Sequence, residues 1–151
     1  MESTIIEPNY IVDYDDALGI DMDQAAADVA VFTFPAPVVV LCAGATVTEV
    51  CAGSTSTPVV KFDKRPTAGS DTDRGDGDIG HLLLLTAAAG TVMIDKVGRG
   101  TTIAAGEEVV VQLVTAAVGT PTGHIRPFMQ VRPVQDLIEN STDVSETTDP
   151  A

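Results

Sequence analysis

Short apolar runs, most of them rich in valine, recur between residues 29 and 131, with glycine, proline or small polar residues after most of them. Two of these runs alternate. In 29–34 (VAVFTF), Ala30, Phe32 and Phe34 oppose Val29, Val31 and Thr33; in 91–97 (TVMIDKV), Val92, Ile94 and Lys96 oppose Met93, Asp95 and Val97. A period of two marks a half-buried strand. The run 108–115 (EVVVQLVT) is the strongest strand in the chain. The run 81–85 (HLLLL) is continuously apolar, which predicts a central strand buried on both faces, and the bounding Gly80 and Gly90 argue against a helix there. Four more strands are predicted over 38–42, 46–50, 59–62 and 124–131. A turn at Ala43 and Gly44 separates the first two. Pro127 cannot donate to a ladder, so it places the last strand at an edge or a bulge.

No long helix competes with these eight segments. Many short strands punctuated by glycine and proline predict an all-β sandwich or closed barrel. Eight strands in two sheets is the jelly-roll count. The absence of Trp and of a widely spaced cysteine pair argues against an immunoglobulin-like sandwich. The expectation is an all-β, jelly-roll-like β-sandwich of about eight strands with extended acidic termini. Its divisions are an acidic arm over 1–28, a sandwich domain over 29–134 and an acidic tail over 135–151.

Between two apolar runs lies a polar stretch, 63–80, holding Asp63, Lys64, Arg65, Pro66, Asp71, Asp73, Arg74, Asp76 and Asp78 with four glycines. Loops longer than about 12–15 residues are uncommon in compact domains unless they have a role. The stretch is therefore a candidate functional loop.

Composition sharpens this picture. With 151 residues the chain fits one domain, and with only 4% aromatic residues its core must be built from Val, Ile, Leu and Ala. The net charge is −14, with eight basic residues in all. That balance argues against a nucleic-acid partner, whose phosphates need Lys and Arg, and against an anionic membrane surface. It suits a very soluble protein, or one that meets a basic partner. The charge is also uneven: residues 1–28 hold eight acids and 133–151 hold five, and neither segment has a Lys or Arg. Within the first segment Tyr10, Ile11, Val12 and Tyr14 form an apolar stretch suited to docking as an extended arm, since Tyr brings rigid area with a polar tip. The opening MESTIIEPNY lacks a basic segment followed by an apolar one, so no secretory signal is expected in it.

Candidate chemistry is sparse. Asp71, Asp73, Asp76 and Asp78 in SDTDRGDGD offer hard oxygens to calcium, but the spacing departs from an EF-hand loop. Solvated turn chemistry accounts for the same residues. The tripeptide Arg74, Gly75, Asp76 matches an integrin-binding motif, and a turn explains it equally well. His81 and His124 are the only histidines and have no ligand spacing. Cys42 and Cys51, nine residues apart on consecutive predicted strands, read as two small buried thiols, with a cross-strand disulfide as the alternative. No nucleophile elbow or phosphate loop is present. The chain gives no positive sign of catalysis, and neither cofactor nor metal is expected.

The run TPVVKFDKRPTAGSDTDRGDGDIG, followed by a glycine-rich turn and IAAGEEVVVQLVTAA, resembles the small capsid decoration (cement) proteins of tailed bacteriophages. The resemblance covers roughly 38–131 and is one of pattern. It implies a small β-domain, often a jelly roll, that sits as an oligomer on the outer capsid surface over junctions between major capsid proteins. Terminal arms or loops would reach neighbouring subunits. A trimer is favoured over a dimer, and no catalytic residue carries over. The partner interface is expected at Tyr10, Ile11, Val12 and Tyr14. The alternative is a small-ligand or glycan-binding β-sandwich with the Asp-rich loop as its calcium-dependent site. A third reading is a jelly-roll enzyme that uses His81 and His124.

Overall fold

The computed structural model describes residues 9–67, 78–84 and 87–134. They form ten strands: β1 (Tyr10–Asp13), β2 (Ile20–Asp21), β3 (Ala27–Phe32), β4 (Val38–Ser54), β5 (Val59–Pro66), β6 (Gly80–Leu83), β7 (Val92–Asp95), β8 (Thr102–Ile103), β9 (Glu107–Thr115) and β10 (Gly119–Pro133). Two antiparallel sheets pack face to face. The first runs β1-β10-β4-β7, with β2 also paired to β10 and β8 to β4; the second runs β3-β9-β5-β6. The molecule is therefore an all-β sandwich.

The core lies between the sheets and follows the period of two. On β9, Val109, Val111 and Leu113 point inward, and on β10 so do Ile125, Met129 and Val131. The second sheet's outer face carries polar residues between the valines. There the Arg65 Nε donates to Glu108 Oε2 at 2.8 Å and Nη1 to Asp28 Oδ2 at 3.1 Å. Gln112 Nε2 donates to Asp28 Oδ1 at 3.3 Å. The bond to Glu108 raises the Arg65 pKa, burial opposes it, and Asp28 adds to the rise. This group stitches β3, β9 and β5 across one face.

Several expectations need correction. The segments 38–42 and 46–50 are one strand, β4, with no turn at Ala43 and Gly44. Opposite β10 the register jumps from Val40 to Cys42, so Leu41 is an extra residue in a bulge. The bulge shifts the alternation: Val38 and Val40 point inward before it, and Ala43, Ala45 and Val47 after it. In sequence that phase change looks like a break. Gly44 is needed for close approach, because a Cβ there would lie 2.2 Å from the Met93 carbonyl oxygen.

The run 81–85 does not make a central strand. β6 lies at a sheet edge, with Leu82 and Leu84 inward and Leu83 outward at 54% exposure. Residues 63–66, placed in the loop from sequence, continue β5 beside β9. Residues 119–123 extend β10 ahead of 124, and β1, β2 and β8 were not expected as strands.

Pro127 sits in an interior strand at an unbulged position. It is tolerated because it falls at the seam where β1 ends, opposite Asp13 and Phe128, and before β2 begins opposite Ile125. The Tyr14 N–H donates to the Pro127 carbonyl at 3.0 Å, so the missing proline N–H faces the same side. The Tyr14 carbonyl that it would have served accepts from Arg126 Nη2 at 2.9 Å instead.

Candidate docking edge

The acidic segment before residue 29 contributes to both sheets. β1 pairs along β10 from Tyr10 opposite Val131 to Asp13 opposite Phe128, and β2 continues on the same side of β10. Ile20 and Met22 are core residues, Met22 at 1% exposure. The division at residue 28 is thus not a division in packing. Isolated apolar residues among acids concealed this: Asp13 separates Val12 from Tyr14, and Asp21 separates Ile20 from Met22.

Alternation sets the roles of the four residues named from sequence. Val12 and Tyr14 face inward and pack against the core. Tyr10 shares their face at the start of the strand, at its rim. Ile11 points outward and is 61% exposed. The Tyr14 amide bonds to β10, so by alternation the amides of Tyr10 and Val12 do too. The N–H and C=O groups of Ile11 and Asp13 therefore point away from β10. No described residue bonds to them. β1 is a free edge.

The facing edge of the second sheet is β3. Between the two edges lies a cavity of about 250 Å³, lined by residues 12–15 from one sheet and 30–33 from the other. Its lining mixes apolar Val12, Ala30, Val31 and Phe32 with polar Asp13, Asp15 and Thr33. Arg126 Nη2 holds Asp13 Oδ2 at 3.0 Å and fixes the end of β1. The structure thus brings Val12 and Tyr14 together with Ala30, Phe32 and Arg126, which sequence reasoning did not single out. The alternation of 29–34 did place Ala30 and Phe32 on one face; only the topology could set that face beside β1.

The other candidates are dispersed. His81 lies on β6, its backbone N–H donating to Asp95 Oδ2 at 2.9 Å. His124 lies on β10 in the other sheet, with Nδ1 at 3.3 Å from Glu49 Oε1 and Nε2 at 4.0 Å from Asp21 Oδ2. The histidines are not brought together, and among the described residues no three His, Cys, Asp or Glu side chains cluster to hold a metal. Asp71, Asp73 and the tripeptide 74–76 lie outside the described residues. Asp78 is exposed, and its N–H donates to Oδ1 of the buried Asp63 at 3.1 Å.

Cys42 and Cys51 are free thiols on opposite faces of the same strand. Nine steps along a strand separate them by roughly 30 Å, which rules out a bond between them. Burial, and then the Glu49 carboxylate, push the Cys51 thiol upward.

No family model, curated protein or solved structure matches the chain.

Proposed function

We propose that this chain is a structural virion protein that binds the outer capsid surface and stabilises the shell by bridging major capsid proteins. It acts as a homo-oligomer, with a trimer favoured. The observation that carries the reading is the β1 edge: an acidic, apolar-studded strand, anchored on a rigid body and unpaired along its outer side among the described residues. Many copies on one shell would let such modest contacts add through multivalency. The strand order gives further support. With β2 and β8 set aside, eight strands remain as β1-β10-β4-β7 facing β3-β9-β5-β6. This interleaving fits a jelly roll, the fold that the resemblance to decoration proteins implies.

The test is a binding assay with expanded shells of the encoding phage purified without this protein. Saturable binding and a higher shell disassembly temperature are expected, with Ile11→Glu weakening both while the protein's own melting temperature holds. A protein that is folded yet leaves the shells unbound sinks the proposal.

A further inference from the structure

We propose that the β1 edge binds an extended, lysine- or arginine-flanked segment of its partner as an additional strand, with one small apolar side chain of that segment seated in the cavity between β1 and β3. This deepens the proposed function and rests on its reading of the edge as the docking site. Backbone, volume and charge each bear on it separately.

The backbone supplies the first argument. Ile11 and Asp13 direct their N–H and C=O groups outward, and a partner strand can pair with such a row. The side chains on either side of the added strand would meet different surroundings. One face would lie over exposed Ile11, and the other over the opening between the sheets.

The volume supplies the second. Pockets for small molecules run to about 300–1,000 Å³. A cavity of about 250 Å³ with Val12, Ala30 and Phe32 in its lining falls below that range and suits one aliphatic side chain. In β-augmentation the main chain gives affinity and such side-chain pockets give selectivity.

The third is charge. Asp15 lines the cavity beside Asp13, whose charge Arg126 partly offsets at 3.0 Å, Asp16 is next in sequence, and residues 1–28 contain no Lys or Arg. A second copy offering its own β1 would set these carboxylates against each other, and like charges placed opposite across a strand pair destabilise it. A cationic segment meets the same groups favourably, so a basic partner is preferred to self-pairing.

The experiment uses fluorescence anisotropy with a labelled, blocked peptide alternating lysine and valine, and a counterpart with glutamate for lysine. Two variants of the full chain address the two parts of the site. Ile11→Pro removes an outward N–H and leaves the β10 ladder intact. Ala30→Leu fills the cavity. Melting temperatures verify that both variants fold. The lysine peptide should bind wild type, with affinity lower by about tenfold or more in each variant, and the glutamate peptide should not bind. Equal binding by wild type and Ile11→Pro overturns the inference, as does a wild type that ignores the lysine peptide. Light scattering that shows a dimer made monomeric by Ile11→Pro also overturns it, by making a second copy the occupant. Shell binding without peptide binding sinks this inference alone. Peptide binding without shell binding sinks the proposed function alone.

Discussion

Cys51 shows how one buried side chain ties a fold to pH. Its thiol lies in the core, its Sγ pressed so close to Gly123 that a Cβ there would sit 2.8 Å away. Burial and the Glu49 charge raise its pKa above the ordinary 9.0. The folded chain therefore keeps a proton that the unfolded chain gives up. With more protons bound in the native state, stability falls as pH rises. The contribution is complete below the unfolded value and is lost as pH climbs through the raised one. Between about pH 8 and about pH 10.5, the urea midpoint of wild type should fall more steeply than that of Cys51→Ala. Parallel curves for the two proteins would refute this. The burial of this thiol was legible in its sequence, because a Cys flanked by Val50 and Ala52 reads as a small hydrophobe. The carboxylate of Glu49, two residues away on β4, was close by in the sequence, but the closure by Gly123 belongs to β10, a strand distant in sequence, and was not legible.

At the scale of elements, β9 was legible to within a residue of its observed limits because its valine run is buried almost throughout. β3 and β7 were located by their alternation but not bounded by it: β3 starts two residues earlier and carries a bulge between Asp28 and Ala30, and β7 covers only the middle of its run. β4 was misread because a bulge reverses its phase at Leu41, and a reversal looks like an end. β6 departs from the sequence reading because four adjacent leucines suggest two buried faces, whereas an edge strand exposes Leu83. β1 and β2 were hidden among acids. Gly44 tests the corrected account of β4. It lies between Phe128 on β10 and Ile94 on β7 in the paired register. A methyl group there would meet the Met93 carbonyl oxygen at 2.2 Å and Phe128 Cζ at 2.8 Å. Gly44→Ala should therefore destabilise the protein by about 1–3 kcal/mol, as overpacking does. In a chain of this size that amounts to several degrees in melting temperature. Adding Phe128→Leu should not restore stability, because the nearer obstacle is backbone. A Gly44→Ala protein that melts with wild type would restore the turn read from sequence.

At the scale of the whole molecule, chain direction decides which parts can stand alone. Tyr10 pairs with Val131, and Ala27 pairs with Leu113, so strands from near the two ends lie side by side. The core is shared among all of them. An arm that only docked could be removed at no cost to the body; this segment cannot. Removing residues 1–22 takes Ile20 and Met22 out of the core and uncovers one edge of β10. Each large core side chain lost costs about 2–5 kcal/mol. The same truncation removes six acids from a chain of net charge −14, which relieves repulsion. Surface charges count for only a few tenths of a kcal/mol up to about 1 kcal/mol each, so the core loss wins. Against a typical net stability of about 5–15 kcal/mol, the truncated chain should be largely unfolded or close to it. Urea titration followed by far-UV circular dichroism reads this directly: the full chain should unfold in one cooperative step, and the truncated chain should show a far lower midpoint or none. A truncated protein with the full-length midpoint would mean that the segment is a separable arm after all. The free edge of β1 would then no longer be held in place by the sandwich that it serves.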